Sequence, residues 1–177
     1  MSSGHVTGEE HEYKKPLHIA HALMLACDIV IIFFAIRVWY DVKQDLKPAD
    51  ETVRIVTQQW AWTFTQPGPD HALDTADDIV TVNELHLRND TTYQYELQSL
   101  DVLHALSIPA FRLKHDAIPG RTIKGWFKTT AEGEYDIQCA EICGIGHALM
   151  PARMYIQSPA AHAEWMASGA DRWAMTR

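Results

Sequence analysis

The chain is predicted to be mainly β: an antiparallel sandwich or barrel, anchored by one N-terminal transmembrane helix and closed by a short C-terminal helix. Three observations carry this. One apolar run near the N-terminus is long enough to cross a bilayer. After residue 52, short stretches rich in β-branched and aromatic residues recur between turn signals. Near the other end, Ser158 and Pro159 form a helix start, and Gly169 marks its expected end.

Residues 1–16 read as a tail and 17–40 as the transmembrane helix. Between Leu17 and Trp39 stand twelve Leu, Ile, Val or Phe side chains. At about −0.3 to −0.6 kcal/mol each they outweigh the single central Asp28, which costs roughly 3 kcal/mol. No small-residue cleavage site follows, so the helix is expected to remain as an anchor. Trp39 and Tyr40 suit the far interface, where Arg37 can snorkel. His18, His21 and Asp28 share one helix face. Polar groups at membrane depth face protein rather than lipid, so this stripe is expected to pack on a larger membrane subunit. Lys14 and Lys15 favour an inside N-terminus, against Glu9, Glu10 and Glu12.

Residues 41–52 form a polar linker containing Pro48. The β domain is expected over 53–158, with strands at 53–64, 79–87, 93–99, 102–108, 122–129, 134–138 and 152–157. Residues 159–177 hold the C-terminal helix and tail. With 15 Lys and Arg against 23 Asp and Glu, the chain carries −8, of which residues 41–177 carry −7. Such a balance excludes nucleic acid as the expected partner and suits a basic protein. Asp70, Asp74, Asp77 and Asp78 fall in one short loop. A solvated acidic hairpin is expected there, with a calcium site as the alternative.

The segment from Cys139 to Met150 carries the chemistry. Two thiols, Cys139 and Cys143, stand four residues apart, followed by His147 and Met150. Thiolate and thioether are soft ligands that favour copper, and a second cysteine supplies a second sulfur through which two coppers can share charge. Gly144 and Gly146 let the backbone curl so that the ligands converge. Competing readings remain: a structural zinc site, which would leave Met150 idle; a Cys139–Cys143 disulfide; and chance. Cys27, in the apolar run, reads as inert. A second histidine must come from elsewhere, and His104 ends the run Asp101-Val102-Leu103-His104.

These residues resemble subunit II of cytochrome c oxidase. The likeness covers roughly residues 58–166 and includes the ligand loop, the Asp-Val-Leu-His run, the stretch from Leu113 to Arg121, and Trp60-Ala61-Trp62. The Cys-x-Glu-x-Cys form argues against nitrous oxide reductase. The resemblance implies a cupredoxin-like sandwich with a dinuclear copper CuA centre. His104 and His147 would be terminal ligands, Cys139 and Cys143 bridging ones, and Met150 axial. Glu141 would bind through its backbone carbonyl, and its carboxylate would reach a magnesium at the interface with subunit I. Trp60 would receive the electron, and Asp101 would help dock the donor. Read from residues alone, Trp60 and Trp62 form one core-facing side of a strand.

The function this implies is the CuA electron-accepting subunit of a membrane-bound haem–copper oxygen reductase, with no oxygen-binding site of its own. Its partners would be subunit I and other membrane subunits, and cytochrome c or a cytochrome c domain. The expected location is the cell inner membrane, single-pass, with the copper domain on the periplasmic side. Family members usually carry two transmembrane helices where this chain shows one. A haem–copper nitric oxide reductase using CuA is therefore the alternative. A membrane-anchored copper-delivery protein is the reading from another class.

Overall fold

A computed structural model describes residues 11–174, so the cue of Glu9 and Glu10 lies outside the described residues. The chain divides into two units, Met1–Asp45 and Leu46–Arg177. Among the described residues, the first holds one helix, α1 (His11–Trp39), continued by one π-helical turn at Tyr40–Gln44. Its apolar side chains, such as Ile29, Phe33 and Ile36, are exposed. The stretch Pro16–Gln44 is long and apolar enough to cross a membrane, and none of it is buried against protein. Nδ1 of His21 lies 2.9 Å from the carbonyl oxygen of Leu17, so that ring is bound within its own helix.

The second unit is two packed sheets and a helix. Its strands are β1 (Glu51–Gln58), β2 (Ala61–Gln66), β3 (Ile79–Val82), β4 (Glu84–Arg88), β5 (Thr92–Ser99), β6 (His104–Ile108), β7 (Leu113–Ala117), β8 (Ile123–Lys128), β9 (Gly133–Cys139) and β10 (Ala152–Gln157), followed by α2 (Pro159–Ala174). One sheet runs β3-β2-β1-β5-β8 and the other β4-β10-β9-β6-β7. Alternate residues point inward, as a period of two requires. Val53, Ile55, Phe64, Leu85, Tyr95 and Ile137 are fully or almost fully buried between the sheets. Each such side chain contributes about 1.5–3 kcal/mol by leaving water.

Four expectations change. The sheets are mixed rather than antiparallel, because β1 pairs with β5 and β4 with β10 in parallel. Inward and outward alternation is the same for either direction, so the pattern of residues does not encode it. The expected strand 53–64 is two strands with a tight turn at Gln59 and Trp60. The expected strand 79–87 is also two, and they lie in different sheets. The chain crosses at Asn83, whose φ of 58° is left-handed, a conformation that asparagine tolerates better than most residues. Asn83 Oδ1 accepts from the N–H of Trp62 at 2.9 Å, and the Asn83 N–H donates to the Trp62 carbonyl at 2.8 Å, which fixes the crossing. Finally, α2 continues through Gly169. One glycine costs a helix only about 1 kcal/mol, which ends nothing without a following stop signal. At the other end Ser158 does cap the helix, its Oγ accepting from the N–H of Ala161 at 3.3 Å.

Candidate metal centre

The site forms where β6 begins and β9 ends. These strands pair antiparallel, with Leu106 opposite Cys139. The N–H of Ala140 donates to the carbonyl of Ala105 at 2.9 Å, extending the ladder by one bond. That pairing brings His104 beside Cys139 although 35 residues separate them. Beyond Cys139 the chain leaves the sheet and loops back to Met150, which Pro151 separates from β10. Gly144 has a φ of 125°, which a side chain would strain. The N–H of His147 donates to the Gly144 carbonyl at 3.1 Å, and that of Leu149 to Gly146 at 2.9 Å. These bonds close a short 3-10 turn, His147–Leu149, that carries the imidazole inward.

The donor atoms fall in two groups. Around Cys139 Sγ lie His104 Nδ1 at 3.8 Å and the carbonyl oxygen of Glu141 at 3.2 Å. Around Cys143 Sγ lie His147 Nδ1 at 3.6 Å and Met150 Sδ at 3.4 Å. The two sulfurs, 3.8 Å apart, join the groups. Cys143, Met150 and His104 are buried, while Cys139, Glu141 and His147 are half-buried. Among the described residues, the group of His, Cys, Asp or Glu that could hold a metal is His104, Cys139 and Cys143, their ligand atoms within 4.8 Å of one another. Burial pushes the Cys143 thiol up to about 11, and the neighbouring Cys139 thiol adds to this. The donor set is soft and sulfur-rich, which fits copper and leaves no donor idle.

His104 is held from behind. Its Nε2 lies 2.9 Å from Asp101 Oδ1, which leaves Nδ1 facing the thiols. Asp101 also accepts from the N–H groups of Gln59 and Val102, both at 2.6 Å. Burial acts against its ionisation, but the hydrogen bonds from His104, Gln59 and Val102 win and hold its carboxyl below the usual range. Asp101 thus stays at the surface with both oxygens bonded. The Asp101–His104 link was legible only as an i, i+3 spacing.

The two tryptophans separate. Trp62, on β2, is fully buried, and its Nε1 donates to the Met150 carbonyl at 3.0 Å. Trp60 stands in the β1–β2 turn with 38% of its surface exposed. Its ring lies against Gly144 and Gly146, so closely that a Cβ at Gly146 would collide with it. Around the loop, Ile142, Ile145 and Leu149 are at least 80% exposed, an apolar rim that no sequence motif announced. The acidic loop gathers its carboxylates differently. Arg54 pairs with Asp74 through both nitrogens, at 2.5 and 2.9 Å. Thr75 Oγ1 donates to Asp77 at 2.6 Å, and the Asp74 N–H donates to Asp78 at 2.9 Å.

Comparison with known proteins bears on the fold and the family. The family model for the periplasmic domain of cytochrome c oxidase subunit II matches residues 69–157. An alternative cytochrome c oxidase subunit 2 from Bradyrhizobium diazoefficiens is 34% identical over 142 residues, covering 67% of this chain and 51% of that protein. Cytochrome c oxidase subunit 2 from Cereibacter sphaeroides is 29% identical over 185 residues, covering 87% of this chain and 61% of that protein. The chain therefore spans about half to three fifths of the length of these relatives. Among solved structures, the periplasmic domain of subunit II of cytochrome oxidase from Bradyrhizobium japonicum superposes with a TM-score of 0.64 at 26% identity, covering 72% of this chain and 99% of that one. With half the chain matched by the family model over a sandwich of the same architecture, this chain belongs to the cytochrome c oxidase subunit II family.

Proposed function

We propose that this chain is the CuA electron-accepting subunit of a membrane-bound haem–copper oxygen reductase. It takes electrons from cytochrome c and passes them to the haem of subunit I. One observation carries this reading: two equivalent half-sites, each with one imidazole nitrogen, one thiol and one weak outer donor, joined sulfur to sulfur. When bound, a dinuclear copper centre there stores one electron shared between two metals. His104 and His147 would be its terminal ligands, Cys139 and Cys143 its bridges, and Met150 and the Glu141 carbonyl its outer ligands.

The protein's own part is positioning. Asp101 keeps the His104 proton on Nε2, so Nδ1 stays a ligand. The buried faces of Cys143 and Met150 keep water from the sulfurs. Trp60 offers an exposed indole in contact with the ligand loop, where a donor can reach. The apolar rim of Ile142, Ile145 and Leu149 suits burial against a membrane subunit. The Glu141 carboxylate, beside that rim, would reach a magnesium at the same interface. The helix α1 would fix the domain to the cell inner membrane, with copper on the periplasmic side.

The test is the electron paramagnetic resonance spectrum of the full chain in detergent after copper loading. A mixed-valence pattern from two coppers is expected, and Cys143→Ser should abolish it. A single-copper or silent spectrum would favour the delivery-protein reading and sink this one. Turnover of the purified complex with oxygen and with nitric oxide separates the two reductase readings.

A solved relative, 30% identical with a TM-score of 0.58, is a mixed disulfide between a thioredoxin-like protein and subunit II of cytochrome c oxidase. The Cys139 and Cys143 sulfurs of this chain, 3.8 Å apart, are placed to oxidise to a disulfide when metal-free. A thioredoxin-like reductant would then be needed before copper enters. Air oxidation of the metal-free chain should lower its titratable thiols from three to one, leaving Cys27. Three persisting thiols would remove the need for such a partner.

A further inference from the structure

Gln59 has no role that its sequence context declares. It lies in the turn between β1 and β2, directly before Trp60. Its side-chain Nε2 donates to the carbonyl oxygen of Cys143 at 2.6 Å. Its backbone N–H donates to Asp101 Oδ2 at 2.6 Å, and Asp101 Oδ1 lies 2.9 Å from His104 Nε2. One residue thereby reaches both halves of the donor set.

The loop from Cys143 to Met150 is packed at its ends, where Cys143 and Met150 are buried, and against the Trp60 ring between them. Its own hydrogen bonds are local, and two glycines give it more backbone freedom than any other residue type would. Two side chains of the β1–β2 hairpin tie it down. Trp62 holds the far end at Met150, and Gln59 holds the near end at Cys143. We propose that Gln59 is a positioning residue for the metal centre. Its amide clamps the ligand loop at Cys143, and its backbone N–H braces His104 through Asp101. The same turn thereby keeps Trp60 seated on Gly144 and Gly146. This deepens the copper reading and rests on it.

The test uses the full chain in detergent, loaded with copper, and follows loss of the two-copper spectrum to a chelator. Gln59→Met keeps a side chain of similar length without its donor. Gln94→Met is the control, because it removes an equivalent amide bond, to the Lys47 carbonyl at 2.9 Å, elsewhere in the same sheet. Gln59→Met should keep the spectrum and lose copper roughly two- to ten-fold faster than wild type, the range one neutral hydrogen bond gives. Gln94→Met should match wild type. Equal rates in the two variants would overturn the role of Gln59 and leave the copper reading intact. A wild-type chain without a two-copper spectrum would overturn both. Should Gln59→Met not fold, Gln59→Glu replaces it. Its carboxylate cannot donate to Cys143, so the same acceleration is expected, and a wild-type rate again overturns the role.

Discussion

Gly146 shows how one missing side chain holds the site in shape. The Trp60 ring occupies the space where a Cβ would stand, so the ligand loop and the exposed indole touch without a gap. Gly146→Ala forces one of them to move. Overpacking of this kind costs about 1–3 kcal/mol. The thermal midpoint of the metal-free chain should drop by several degrees, and Trp60 should become more exposed to a collisional quencher. An unchanged midpoint would mean the indole is free to swing away. Asp101 makes a related point about charge. Its carboxylate is spent on His104, Gln59 and Val102, so a docking contribution from it would act through its charge rather than through a free oxygen.

At the scale of elements, the β1–β2 hairpin and α2 do different work. The hairpin supplies Gln59, Trp60 and Trp62, all of which touch the ligand loop from the opposite sheet. Helix α2 instead covers the β4 end of the sandwich, burying His162 to 6% exposure. Burial holds that imidazole below its ordinary value of 6.5, with Arg88 and His86 acting the same way and a hydrogen bond to the His86 backbone opposing them. The folded chain therefore prefers His162 neutral. Below about pH 6.5 the unfolded chain takes up the proton first, so stability present above that pH is lost as pH falls. The urea midpoint of the metal-free chain should fall between pH 7 and 5, and His162→Leu should make that fall shallower. An unaltered slope in the variant would assign the pH dependence to other groups.

The whole molecule carries −8 and exposes an indole beside its candidate metal loop. A basic electron donor would be drawn to it, and salt would weaken the attraction as the Debye length shortens from about 30 Å at 0.01 M to about 8 Å at 0.15 M. The bimolecular rate of reduction by a basic cytochrome c should fall several-fold over that range while the copper spectrum stays constant. A rate that ignores salt would mean the acidic surface does not steer the donor.

Much of this was legible in the residues themselves. The candidate donors Cys139, Cys143, His147 and Met150 were legible because thiols, an imidazole and a thioether stand within one short loop. The apolar helix and the alternating strands follow from hydrophobic periodicity, which is local. Leu113 to Ala117 lacks β-branched residues and so carries no strand signal of its own; only its pairing with β6 makes β7 a strand. What tertiary structure alone decided are the relations across long separations: the parallel pairing of β1 with β5, the crossing at Asn83, the bond from Gln59 to Asp101, and the two side-chain ties from the β1–β2 hairpin. Each depends on which strands become neighbours. A chain's local pattern sets which way a side chain faces, but only packing sets what it meets there.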